Sequence, residues 1–385
     1  MFQKTISVGL IGSGARLRVL VTAIQKQAPQ SIRFAAVHDP DPISIEETQK
    51  VLGGGVRVCG TVEELINFPG VDWIFIGSWN CFHAQQAVAA LLAGKHVFCE
   101  KPLATTLQDC VAVREALHKT DRTFALGLVL RYSKHYQTIY ETLRSGLIGQ
   151  IVSFEFNETL LFSHGSYIFG NWRRLRTNAG THLLEKCCHD LDLANWLIDS
   201  LPVRGASFGG NRVFTPESAH LAGDIAARSN GHSIPKMFDP HGVDPFKSTH
   251  DILDHQVAIL EYANGVQATF HTNAHSALPE RRMYINGTLG TLRADLIRGQ
   301  VEICQMGRES EPVAIRTTSG DIHGDADDIM AAGLIRTMLE DEAPLASIEE
   351  GIRSAVTAFG LDEAADHGTV TDFRPLWRCA GVFLP

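Results

Sequence analysis

Hydrophobic positions in the first third of the chain fall into short β-rich runs separated by stretches of helical periodicity. The runs Ile6 to Ile11, Phe34 to His38, Trp73 to Ile76, His96 to Cys99 and Thr123 to Val129 read as strands. Between two of them, Phe82 to Leu92 is amphipathic and closes on Gly94, as a helix C-terminus does. Such alternation is what βαβ units feeding a parallel sheet produce. It stops near Leu130 to Ser133, which sets an expected boundary between domains 1–130 and 131–385.

Beyond that point apolar and polar residues alternate along Ile151 to Phe156, Gln256 to Tyr262, Val266 to Thr272, Arg282 to Ile285 and Gly290 to Ala294, the mark of a half-solvated antiparallel sheet. Asn264-Gly265 between two of these runs predicts a tight hairpin. One long helix is expected over Leu183 to Ile198, and two more around Ile329 to Leu339 and Ile348 to Ala365. Ser207 to Thr249, rich in Gly, Pro, His and Asn, reads as a long insertion loop.

Length and charge narrow the class. A chain of 385 residues exceeds the size at which one core stops growing, so two domains are expected. A net charge of -9, with no Lys/Arg-rich run, argues against a nucleic-acid partner. The apolar run before Gly12 is too short for an export signal or a membrane span. Eight scattered cysteines without C-x-x-C spacing suit a reducing cytoplasm.

Candidate chemistry begins at Gly12-Ser13-Gly14, directly after the first strand and before a helical pattern. Backbone N–H groups there can approach a pyrophosphate at the helix N-terminus. Leu17 stands where the third glycine of the usual fingerprint would be, so the loop alone reads as a tight turn more often than as a cofactor site. Asp39, about 25 residues on at the end of the second strand, is placed to hydrogen-bond adenosine ribose hydroxyls. Its charge would repel a 2′-phosphate, so NAD is preferred to NADP, although Arg16 lies near in sequence.

Residues 74–104, IFIGSWNCFHAQQAVAALLAGKHVFCEKPLA, resemble the segment shared by the Gfo/Idh/MocA oxidoreductases. Similarity continues through Leu130-Arg131-Tyr132, residues 145–149, Trp172-Arg173, residues 287–290 and the segment from Ile348 to Ala365. The resemblance implies a Rossmann domain followed by an α/β domain built on a large, open, mostly antiparallel sheet, with cofactor and substrate meeting in the cleft between them. It implies a small carbohydrate or polyol substrate, no membrane partner, and a homodimer or homotetramer formed on the open sheet face.

The same resemblance assigns roles. Gly12, Gly14, Ala15, Arg16, Asp39, Ser78, Trp79, Asn80, His83 and Glu100 become cofactor neighbours, and a cis bond is expected between Lys101 and Pro102. Lys101, at a parallel strand's C-terminal end, can hydrogen-bond the reacting oxygen and stabilise it as it becomes alkoxide-like. His189 becomes the base that takes the hydroxyl proton. Glu185, four residues earlier and so expected on the same helical face, would steer it. Tyr132, Trp172, Arg173 and Lys186 are candidate substrate contacts, while Lys186 can equally face solvent and Tyr132 and Trp172 can equally serve packing. Glu185 in place of the usual Asp, and Cys187 in place of the usual Gly, mark a pocket unlike the family's commonest form.

Adjacent Cys187, Cys188, His189 and Asp190 point in different directions on a helix, and the histidines of the second half lack ligand spacing, so no metal is assigned. The resulting expectation is an NAD-dependent oxidoreductase acting on a secondary hydroxyl of a sugar, sugar derivative or cyclitol. A redox-neutral NAD-dependent glycosidase of the same fold and a non-catalytic dinucleotide-binding regulator are the alternatives.

Overall fold

The computed structural model describes residues 5–228, 242–307, 312–317 and 325–384. The chain divides into two units, one formed by Met1–Lys134 with His323–Ala355, the other by His135–Ile322 with Val356–Pro385.

In the first unit, strands β1 (Ile6–Ile11), β2 (Ile32–His38), β3 (Arg57–Val58), β4 (Trp73–Ile76), β5 (His96–Cys99) and β6 (Phe124–Leu126) form one parallel sheet in the order β3-β2-β1-β4-β5-β6. This is the doubly wound dinucleotide order, which places ligands at the carboxyl edge where the strand order reverses, beside β1 and β4. The sequence follows from burial: β1 and β4 are buried at every position, so they read as continuous apolar runs. The strand expected over Thr123 to Val129 is shorter, because Leu128 N–H turns back to Leu126 O and a 3-10 turn follows over Val129–Tyr132. The Ala326–Glu340 helix returns to this unit and packs against the Ala15–Gln27 helix.

The second unit is built on nine strands: β7 (Ile151–Leu161), β8 (Pro202–Gly210), β9 (His255–Tyr262), β10 (Gln267–Ser276), β11 (Arg282–Gly287), β12 (Gly290–Asp295), β13 (Gln300–Gln305), β14 (Val313–Arg316) and β15 (Thr371–Asp372), ordered β14-β13-β12-β11-β7-β10-β9-β8-β15. Every pairing is antiparallel except β7 with β10, which run parallel. The Asn264-Gly265 hairpin forms as expected: Gly265 takes a φ of +86°, and Tyr262 N–H donates to Val266 O at 2.9 Å. One face of the sheet is covered; the other exposes Phe208, Val257 and Ile259.

Two expectations change here. The single helix over Leu183 to Ile198 is two helices, His182–Glu185 and Cys188–Ile198, broken at Lys186 and Cys187. The expected loop from Ser207 to Thr249 begins as strand β8 and carries a helix over Leu221–Arg228, with residues 229–241 outside the described residues. Phe214 and Phe246 of this segment join Leu160, Phe169 and Ile252 in a small apolar cluster. Asp254 pins the segment's start, its Oδ2 accepting the N–H groups of Arg212, Val213 and Phe214 at 2.8, 2.7 and 3.2 Å.

The Ile348–His367 helix brings Asp362 into the second unit's core, where Thr181 Oγ1 donates to it at 2.5 Å. Burial pushes this carboxyl up to about 7, against the pull of Thr181 and Arg176. The native state therefore holds a proton that an unfolded aspartate releases near pH 4, so the stability Asp362 contributes at low pH is lost as pH rises through about 7. Asp362→Asn is expected to stabilise the protein by roughly 2 kcal/mol more at pH 8.5 than at pH 5. Thermal unfolding at the two pH values checks this; an equal change at both would refute it.

Candidate active site

In the first unit, β1 runs straight into the glycine loop. Gly12 has a φ of +74°, and a Cβ there would lie 2.3 Å from Ser78 N, so only glycine lets the β1 and β4 loops meet. Gly14 is the N-cap of the Ala15–Gln27 helix and supplies no side-chain cap, which leaves first-turn N–H groups for an anion. Asp39 stands at the end of β2, its Oδ2 accepting Ser13 N–H at 2.6 Å and its Oδ1 accepting Asp41 N–H at 2.8 Å. A carboxylate offers about four acceptor sites, so ribose hydroxyls can still bind it.

Two acids hold the Arg16 side chain. Its Nε meets Glu100 Oε1 at 3.2 Å and its Nη2 meets Asp327 Oδ1 at 2.6 Å. Burial works against its charge, but Glu100 and Asp327 outweigh that and raise the guanidinium's pKa further. The cation that could have favoured NADP is thus neutralised. Glu100 Oε2 is buried and has no hydrogen-bond partner among the described residues, which leaves one acceptor for an N–H or O–H of a bound group. The loop, the acid at β2 and this open acceptor fit NAD.

His83 braces the reactive edge: its Nδ1 lies 2.7 Å from Pro102 O and its Nε2 3.1 Å from Ser78 O. It so ties the turn after β4 to the Lys101-Pro102 bond, which is cis as expected. Asn80 is buried at the start of the Asn80–Leu92 helix, Trp79 is exposed at its N-cap, and Ser78 Oγ donates to Gln86 Oε1 at 2.6 Å. Tyr132 sits in this unit's core with its phenol beside the backbone of Leu345 and Ala346.

The second unit gathers the other candidates. Arg173 Nε meets Glu185 Oε1 at 3.0 Å, its Nη1 donates to Tyr167 Oη at 3.0 Å, and its guanidinium lies 4.3 Å from the Trp172 ring centroid. Held this way, Glu185 has a fixed carboxylate. His189 is buried in the first turn of the Cys188–Ile198 helix. The two residues fall on separate helices, Glu185 at the end of the first and His189 in the first turn of the second. Lys186 does not face solvent: it is buried with its Nζ 3.0 Å from Glu158 Oε1. Cys187 turns to β10, its thiol donating to Thr272 Oγ1 at 3.4 Å.

Sequence reasoning missed Glu158 and Arg281, and weighed His164 only as a metal ligand. Glu158 was findable, since it shares the inward parity of Phe154, Phe156 and Leu160 on β7, and an acid at a core position demands a partner. Burial, with Lys186 nearby, lowers His164 to about 3, so this ring stays neutral through the physiological range. The sheet also brings His255 and His275 close to Asp254, which spacing along the chain concealed. Asp254 is already committed to three N–H groups and, at 2.7 Å, to His255 Nδ1.

With this geometry in view, the relatives are informative. Residues 6–128 match the oxidoreductase family with an NAD-binding Rossmann fold, and residues 136–293 match the GFO/IDH/MocA C-terminal domain. The chain is 28% identical over 266 residues to inositol 2-dehydrogenase of Gluconacetobacter diazotrophicus, covering 68% of this chain and 66% of that protein. It is 25% identical over 236 residues to 2,7-anhydro-N-acetylneuraminate hydratase of Escherichia coli, covering 61% of this chain and 55% of that one. The chain thus spans between about half and two thirds of these curated relatives. A levoglucosan dehydrogenase in complex with NADH and levoglucosan superimposes with a TM-score of 0.80 at 19% identity, over 96% of this chain and 100% of that one, a likeness of fold. The chain belongs to the Gfo/Idh/MocA oxidoreductases, and its first unit is their NAD-binding Rossmann domain.

Proposed function

We propose that the protein is an NAD-dependent dehydrogenase or reductase acting on a secondary hydroxyl of a sugar, sugar derivative or cyclitol. The observation that carries this reading is the edge of the parallel sheet, where Lys101 follows β5 in the same unit as the uncapped glycine loop and Asp39. When bound in the glycine loop, NAD would supply the carbon that accepts or returns hydride. Lys101 donates a hydrogen bond to the reacting oxygen and stabilises its developing charge. His189 takes the hydroxyl proton, and Glu185, fixed by Arg173, accepts from a neighbouring hydroxyl. Lys186 and Trp172 complete the hydroxyl contacts. The charges of the second unit are largely paired, Arg173 with Glu185 and Lys186 with Glu158, which suits a polyol better than a multiply charged substrate.

The test is a panel of cyclitols, aldoses and anhydrosugars incubated with the protein and NAD, followed both by NADH absorbance and by product analysis. NADH formed in step with ketone is the expected result. The E. coli relative is named for a hydration, so product without net NADH would replace this reading with a redox-neutral one.

We also propose a homo-oligomer that pairs the open sheet faces. Phe208, Val257 and Ile259 are exposed there in one patch, bordered by Glu155 and Arg282. Ile259→Glu is expected to shift the protein to monomer in sedimentation velocity; an unchanged profile would remove this face from consideration. Among the described residues no helix is long and apolar enough to cross a membrane, and eight free cysteines fit a reducing cytoplasm.

A further inference from the structure

Four charged side chains lie in the core of the second unit, all buried. Arg281 grips Asp190 through two parallel bonds, Nε to Oδ1 at 2.8 Å and Nη2 to Oδ2 at 2.6 Å. Its Nη1 reaches Glu158 Oε1 at 3.1 Å, and the same oxygen lies 3.0 Å from Lys186 Nζ. The order is therefore Lys186, Glu158, Arg281, Asp190. The outer two members belong to the broken helical segment, while the inner two come from β7 and from the residue preceding β11.

Such an arrangement is expensive. Each buried ion loses several kcal/mol of hydration, and an apolar set of similar volume is often no less stable. Stability alone does not account for it. What the chain of charges does provide is a fixed geometry at two points, one at Lys186 in the break and one at Asp190 in the helix after it. Lys186 has a φ of -102° and a ψ of -48°, and Cys187 has -89° and 3°, after which the second helix begins without a side-chain cap. In one uninterrupted helix Lys186 would project about 100° around from Glu185. Across the break Glu158 holds Lys186 and Arg281 holds Asp190. Glu185 immediately precedes the first anchor and His189 immediately precedes the second.

We infer that Glu158 and Arg281 are positioning residues: a charged clamp from the sheet that sets the break between the two helices and thereby the placement of Glu185 and His189. The inference rests on the functional reading above for its catalytic consequence, but not for its structural one. Burial disfavours ionised Glu158, yet Arg281 and Lys186 overcome this and hold the carboxyl below its ordinary range. Tyr136 and His164 also face these charges, and their own burial keeps the phenol protonated and the imidazole neutral. Ionised Glu158 thus answers both cations, while burial and the Glu158 charge push Asp190 up to about 7 against the pull of Arg281.

The test uses the full chain with Glu158→Gln, Arg281→Lys and Lys186→Met, and the double variant Glu158→Gln/Lys186→Met. Hydrogen exchange is read on the peptide spanning residues 185–190, with NADH affinity as a control on the first unit. Faster exchange in that peptide, with unchanged NADH affinity, is expected for both single variants at Glu158 and Lys186. The double variant should add little, because both singles break one link. In turnover, Glu158→Gln is expected to lower kcat by about 30-fold with a smaller change in KM, as misplacement of reacting groups does, and Glu158→Asp to restore part of it. Unchanged exchange in all variants would overturn the clamp whether or not the protein oxidises polyols. Faster exchange with an unchanged kcat would overturn its link to the chemistry. If Glu158→Gln fails to fold, Arg281→Lys, which keeps the charge but loses the fork to Asp190, carries the same comparison.

Discussion

Lys101→Met is expected to lower kcat by about 10²- to 10³-fold, the scale of losing one preorganised donor to a developing oxyanion, with little change in NADH affinity. The expectation comes from where the residue sits. Lys101 follows β5 at the carboxyl edge of the parallel sheet, the edge at which doubly wound sheets bind their ligands. The backbone there is braced from both sides: His83 bridges Ser78 O and Pro102 O, and Arg16 holds Glu100 next to the lysine. Methionine keeps most of the side chain's length and apolar stem while removing the ammonium, so the loss reports charge and hydrogen bonding and not packing. Stopped kinetics with an identified polyol, together with fluorescence titration by NADH, separate the two quantities. A fall in NADH affinity with kcat preserved would move Lys101 from the reacting oxygen to cofactor binding.

The first unit was legible in the sequence because its physics is local. A strand buried on both faces is a continuous apolar run, and β1, β4 and β5 were read to their exact ends. The glycine turn and the acid after β2 are likewise short-range signals: Gly12 takes a positive φ, Gly14 is the N-cap of the Ala15–Gln27 helix, and Asp39 accepts the Ser13 N–H. Arg16 shows the limit of that reasoning. Its nearness in sequence to the phosphate loop suggested a 2′-phosphate partner, whereas its side chain is claimed by Glu100 and by Asp327, the latter some 300 residues away and brought back by the Ala326–Glu340 helix. No periodicity along the chain carries that information.

In the second unit the failure was of another kind. Helical spacing over Leu183 to Ile198 is unbroken, and neither Gly nor Pro marks an interruption inside it. At the break the sheet supplies buried partners that local spacing does not reveal, Glu158 for Lys186 and Arg281 for Asp190. The alternation of β7 did contain the clue, an acid in register with Phe154, Phe156 and Leu160, but its partners Lys186 and Arg281 come from separate elements of the chain. Parallel pairing of β7 with β10 inside an otherwise antiparallel sheet was invisible for the same reason, since alternation reports which face is wet and not which way the neighbour runs.

His189→Gln is expected to lower kcat by about 10²- to 10⁴-fold, the range for losing a positioned general base, and to change the shape of the pH profile as well as its height. An imidazole acting as base must be unprotonated to accept the hydroxyl proton, so the wild-type protein should lose kcat/KM as pH falls through the range in which histidine titrates. Glutamine can still donate and accept hydrogen bonds at that position but cannot take the proton, so this acid limb should vanish and hydroxide should restore some rate at high pH. His164 cannot supply the limb in its place, because it stays neutral down to about 3. Nor does the limb belong to Glu158, whose carboxyl Arg281 and Lys186 hold below its ordinary range against the effect of burial. Asp190 is different: burial and the nearby Glu158 charge push it up to about 7 against the pull of Arg281, so it titrates in the same interval. Asp190→Asn therefore belongs in the same experiment. A limb that survives His189→Gln but disappears in Asp190→Asn would transfer the titration to the clamp and leave His189 as a hydrogen-bonding residue, while a limb lost only in His189→Gln identifies the base.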